Sequence, residues 1–113
     1  MDLFLELTEK IYHVLDGKKA VNIEILSLKG ISSIADYFVI ATATSTTHMH
    51  ALVDYVEEAL EKSQLFVKHK EGKPLGGWML LDYGDIVVHV FNQEMRDYYA
   101  LERIWNDAKK IKF

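Results

Sequence analysis

The segment from Trp78 to Phe91, WMLLDYGDIVVHVF, constrains this chain more than any other. Two apolar runs flank Tyr83-Gly84, and aromatic and β-branched residues around a glycine-bearing turn read as a β-hairpin. With Tyr83 and Gly84 as turn residues, Asp82 pairs with Asp85, Leu81 with Ile86, Leu80 with Val87, Met79 with Val88 and Trp78 with His89. Paired residues share a face, and faces alternate along each strand. One face then collects Met79, Leu81, Ile86, Val88 and Val90, a core face for helices to cover. The other collects Trp78, Leu80, Asp82, Asp85, Val87, His89 and Phe91. An indole, two carboxylates and an imidazole do not make a dry core. They suit a protein-binding surface, where tryptophan anchors are over-represented. The alternative is that a helix covers Trp78 and His89 and makes them ordinary core residues.

The remaining segments supply the partners of this hairpin. Leu3, Leu7, Ile11 and Val14 or Leu15 recur at helical spacing over the first fifteen residues, and Gly17 stands at a stop position. Val21, Ile23 and Ile25 alternate with Asn22 and Glu24 as in a half-buried strand. After a connection over 29–35, DYFVIAT at 36–42 predicts a central strand buried on both faces. The polar run Thr44–Thr47 caps a helix whose apolar face is Met49, Leu52, Val53, Val56 and Leu60. A short strand around 65–69 precedes the turn-prone EGKPLGG, and a last helix runs from about Glu94 past Trp105 to a lysine-rich end at Lys109, Lys110 and Lys112. This order predicts one α/β domain over residues 1–113, with a mixed sheet of about five strands.

A chain of 113 residues and 13.0 kDa buries about two thirds of its surface on folding, enough for a core without staples. The absence of cysteine excludes disulfides, thiolate nucleophiles and Cys-type zinc or iron–sulfur sites. No apolar run is long enough to span a bilayer. Asp2, Glu6 and Glu9 stand where a targeting peptide has basic residues, so a cytosolic protein, or an organellar one already processed, is expected. A formal charge of -4 argues against broad nucleic-acid affinity.

Candidates for chemistry are sparse. His48 and His50 point to different sides of a helix, and His69 and His89 lie on separate strands, so no metal site is expected. Asp82 and Asp85 read as turn carboxylates in preference to a magnesium pair. Thr44–Thr47 lacks the glycines of a phosphate loop and reads as a cap. Neither catalytic nor cofactor-binding residues are expected. The cations Lys62, Lys68, His69, Lys70 and Lys73 either touch RNA phosphates or guard an edge strand. Arg96 and Arg103 lie amid Glu94, Asp97 and Glu102, which suggests pairing on a helix surface.

Taken together, DYFVIATATS at 36–45, His48, EGKP at 71–74 and WMLLDYGDIVVHVFNQEMRDYYALERIW at 78–105 resemble the ribosomal silencing factor family, also known as Iojap or YbeB-like proteins. The resemblance covers nearly the whole chain. It implies a mixed α/β fold similar to nucleotidyltransferases but without their activity, and the Gly-Ser plus paired-aspartate signature of those enzymes is missing here. It also implies binding to the large ribosomal subunit through its fourteenth ribosomal protein, at the face that meets the small subunit. Subunit joining is then blocked sterically and translation falls when nutrients are scarce; a role in late large-subunit assembly is implied as well. On this resemblance the partner anchors are Trp78 and Tyr83, with Leu80, Asp82, Asp85 and His89 as neighbours and Lys70, Lys73 and His48 as peripheral contacts. A minor contact with ribosomal RNA and a homodimer using the same face are further implications. Three positions depart from the family pattern: Asn22 replaces the usual aspartate, Ala43 a glycine and Thr47 an arginine.

Overall fold

The computed structural model describes residues 2–113. Six strands form one open sheet: β1 (Val21–Ser27), β2 (Tyr37–Thr42), β3 (His69–Lys73), β4 (Trp78–Asp82), β5 (Ile86–Phe91) and β6 (Lys109–Ile111). Their order across the sheet is β3-β4-β5-β2-β1-β6. The central pair β2–β5 is parallel and the other neighbours are antiparallel. The α/β class and mixed sheet expected from the sequence hold, with six strands in place of about five.

Helices α1 (Leu3–Gly17) and α2 (Thr46–Glu61) cover one face of the sheet. Each begins at a residue whose side chain accepts a hydrogen bond from the first turn, Asp2 from Leu5 N at 3.1 Å and Ser45 from His48 N at 3.0 Å. That satisfies a main-chain donor with no partner inside the helix. Met49, Leu52, Val53, Val56 and Leu60 are buried, as their spacing predicts. They pack with Tyr37, Val39 and Ala41 of β2 and Ile86, Val88 and Val90 of β5. The opposite face carries a second, smaller cluster including Leu26, Phe38, Ile40, Val87 and Phe91, against which Met95, Leu101 and Trp105 of the C-terminal segment pack.

The hairpin departs from the expected register by two residues. Trp78 pairs with Phe91, Leu80 with His89 and Asp82 with Val87, while Tyr83 N donates to Ile86 O at 2.9 Å. The turn therefore falls on Gly84-Asp85, with Gly84 at φ 88° supplying the positive angle that the first position of a tight hairpin turn needs. The carboxylate of Asp82 accepts the Gly84 N–H at 2.7 Å and fixes the turn there. A slip of two preserves which face each strand residue occupies. It does, however, move Tyr83 out of the turn and onto the helix-covered face.

Two further segments differ. The third strand begins at His69 and runs through Glu71-Gly72-Lys73, so the turn contracts to a short 3-10 segment at Pro74–Gly76. Gly72 permits the pairing, because a Cβ there would lie 2.2 Å from the Trp78 carbonyl oxygen. The last helix breaks at Ala100, which adopts φ 46° and ψ 51°, into α3 (Gln93–Tyr99) and α4 (Leu101–Ile104). Arg96 spans the break and is buried: its Nε donates to Glu102 at 2.6 Å and its Nη1 to Thr42 Oγ1 at 2.8 Å. Of the lysines expected at a helix end, Lys109 and Lys110 instead form β6 with Ile111, beside β1.

Candidate functional site

The face of β4, β5 and β2 opposite α1 and α2 carries most of the residues singled out in the hairpin. Trp78 is half-buried there, its ring stacked near Phe91 with centroids 6.5 Å apart. Its Nε1–H donates to His89 Nδ1 through a long hydrogen bond of 3.3 Å. The C-terminal segment covers part of this face, since Tyr99 lies 6.0 Å from Trp78 and Trp105 5.9 Å from Phe38, centroid to centroid. Neither expectation for the face holds throughout: one end is covered and the other is open.

The open end is a groove of about 330 Å³. Leu80, Val87 and Phe38 line it from three adjacent strands. On the β3 side stand His69, Glu71 and Asp82, and on the β2 side Ile34, which is 67% exposed. Phe38, Ile34, Glu71 and His69 were absent from the expected site. Alternation in DYFVIAT places Phe38 on one face, but no periodicity announces that β2 runs parallel beside β5.

Several sequence-based assignments are corrected. Tyr83 is 2% exposed and belongs to the core under α2, so it is no anchor on the Trp78 face. Burial, and then the charges of Glu57 and Glu61, push its hydroxyl pKa upward, and that hydroxyl has no hydrogen-bond partner. His89 is 6% exposed, and burial lowers its pKa to about 4. The imidazole is therefore neutral near pH 7, and because Nδ1 accepts from Trp78 the proton sits on Nε2. It orients the indole from beneath and is no exposed polar neighbour.

Asp82 and Asp85 do not face each other. Asp82 pairs with Val87, and the main-chain oxygen of Asp85 accepts from Asp36 N at 2.9 Å and Tyr37 N at 3.0 Å, tying the turn to β2. Lys70 points to the α2 side of the sheet, 2.7 Å from Glu57, and so is no peripheral contact of the Trp78 face. Lys73 lies opposite Trp78 in the ladder and also lines a larger groove between α2 and the Pro74–Gly76 segment. His48 accepts from Thr44 N at 2.9 Å and its Nε2 donates to the Lys18 carbonyl at 2.9 Å, joining the two helices on the far side of the sheet. Its part is structural. Asn22 adopts φ 49° beside a β-bulge, a conformation that asparagine tolerates well.

Among the described residues no three His, Asp or Glu side chains converge as a metal site requires, and no helix is long and apolar enough to cross a membrane.

The chain matches the family model described as "Ribosomal silencing factor during starvation" over residues 3–113. It is 37% identical over 106 residues to the ribosomal silencing factor of Halalkalibacterium halodurans, covering 94% of this chain and 91% of that one. A mouse protein named for mitochondrial assembly of the ribosomal large subunit is 40% identical over 74 residues, covering 62% of this chain and 32% of its own length. A crystal structure from Chromobacterium violaceum superposes with a TM-score of 0.87 at 30% identity, over 100% of this chain and 92% of the other.

Proposed function

The chain belongs to the ribosomal silencing factor family, and from that premise we propose that it binds the large ribosomal subunit through the fourteenth ribosomal protein and keeps the small subunit from joining. The observation that carries the reading is Trp78, a half-buried indole on a preformed sheet face, bonded to His89, which lines the open groove next to it. Central aromatic anchors in water-excluded pockets dominate the energy of protein interfaces.

The proposed mechanism is steric and requires neither a catalytic group nor a cofactor. A rigid sheet face docks against the ribosomal protein, with roughly 800 Å² buried per partner as the usual scale. The body of the domain then fills space the small subunit needs, and translation is repressed. The name of the mouse relative supports an accompanying role in large-subunit assembly. The protein acts where ribosomes are, in the cytoplasm for a bacterial chain. Self-association through the same apolar face would compete with ribosome binding.

Binding of the purified chain to isolated large subunits tests this reading. Trp78→Ala, if the variant keeps the parent's circular dichroism, is expected to lose at least about 2 kcal/mol of binding. Unchanged affinity would place the docking face elsewhere.

A further inference from the structure

We infer that the groove beside Trp78 receives one arginine or lysine side chain of the ribosomal partner, its methylene stem lying on Leu80 and Val87 and its charged head between Glu71 and Asp82. The inference rests on the function proposed above and adds to it the chemistry by which the partner is recognised.

The groove has the two halves such a side chain needs. Its floor is apolar, made by Leu80, Val87 and Phe38, with exposed Ile34 along one side. Long cationic side chains bury their stems on such surface while the charge stays at the rim. At the rim, Glu71 lies directly across from Leu80 in the β3–β4 ladder and His69 across from Asp82. Glu71 and Asp82 are therefore diagonal neighbours on one face, roughly 7–8 Å apart along the backbone, and one cation can meet both.

Among the described residues no side-chain ion pair engages either carboxylate, although Asp82 Oδ1 accepts the Gly84 N–H at 2.7 Å and His69 stands across from Asp82 in the ladder. The ion pairs of the sheet and helices engage Asp2, Glu9, Glu24, Asp54, Glu57, Glu58 and Glu102, and neither Glu71 nor Asp82 takes part. Lys70, next to Glu71 in sequence, is committed to Glu57 across the sheet, and Lys73, two residues on, forms no ion pair with Glu71. A second observation is independent of charge. His89 is more than nine-tenths buried and lines the same groove, and its Nε2 has no hydrogen-bond partner. That nitrogen is sealed from solvent in the free chain, so a main-chain carbonyl of the docking segment meets it only if the groove wall shifts on binding. An exposed acidic rim over an apolar floor also selects against nucleic acid, whose phosphates it repels.

The sign of a charge change decides the matter. Affinity for isolated large subunits is measured across a salt series for the parent, Glu71→Gln, Glu71→Lys and Trp78→Ala. Glu71 is on an exposed edge strand, so its variants are expected to fold, and circular dichroism checks that they do. The inference predicts a loss of about ten-fold or more for Glu71→Lys, a smaller loss for Glu71→Gln, and a shallower dependence on salt for both. Equal or tighter binding by Glu71→Lys would mean that solvent or ribosomal RNA faces the groove and would overturn the inference, while loss with Trp78→Ala left the docking face standing. Failure of the parent chain to bind at all would overturn both.

Discussion

Trp78 is held in one orientation by the residue beneath it: the indole N–H is committed to His89, and the imidazole ring stacks on Phe91 at 5.9 Å with the planes 4° apart. Keeping that imidazole neutral has a cost that shows in the pH dependence of stability. Its folded pKa lies near 4, below the unfolded value of about 6.5. The unfolded chain therefore binds more protons between those values, and the stability from this group is complete above pH 6.5 and lost as pH falls toward 4. Chemical denaturation at pH 7 and pH 4.5 is expected to show this loss, at most about 3 kcal/mol from this residue. The slope should flatten in His89→Gln; an identical slope in that variant would remove His89 as its source. Tyr83 gives a second contrast. Its buried hydroxyl lacks a partner, so Tyr83→Phe is expected to leave stability level or slightly raised, and Tyr83→Ala to lower it by about 3–5 kcal/mol. Neither prediction follows from the sequence, where Tyr83 beside a glycine looks like an exposed turn residue. Its inward position depends on which residue supplies the positive φ, and that was settled by Gly84 and the Asp82 side chain together.

Among the elements, α1, α2, β1, β2 and the hairpin strands were legible because their periodicities are clean and their caps are polar side chains at the right spacing. The C-terminal third was not. A helical pattern runs unbroken through Tyr98–Leu101 in the sequence, and the break at Ala100 places an ordinary L-residue in the left-handed region without a glycine to announce it. What stabilises the break is long-range: Arg96 reaches Glu102 and Thr42, residues that no local pattern associates with it. That strain yields a prediction. Ala100→Gly should stabilise the protein by about 1 kcal/mol, since the left-handed conformation costs alanine roughly that amount; thermal denaturation reads the gain as a rise of several degrees in Tm. A lowered Tm would mean that the alanine methyl makes a contact worth more than the strain. The break brings Trp105 back over Phe38 while Tyr99, just before it, covers Trp78, and together they limit the open face to the groove.

At the scale of the molecule, the sheet order β3-β4-β5-β2-β1-β6 sets the two faces to different tasks. Two long helices seal one face into the main core, and short ones half-cover the other. The composition foretold the first face, since 50% hydrophobic residues in 113 supply a core of ordinary size. The second was readable only as a list of residues that suit no dry interior. Strand alternation placed Trp78, Leu80 and Asp82 on it correctly. It was silent on Phe38, Ile34 and Glu71, which reach the groove through a parallel pairing, a loop and an edge strand.

The central claim, that this face docks the protein on the large ribosomal subunit, is tested most directly by co-sedimentation of the purified chain with isolated large and small subunits, parent beside Trp78→Ala. The account predicts migration with the large subunit alone, abolished by the substitution in a variant that remains folded. Migration with neither subunit, or equal migration of parent and variant with the large one, would contradict it.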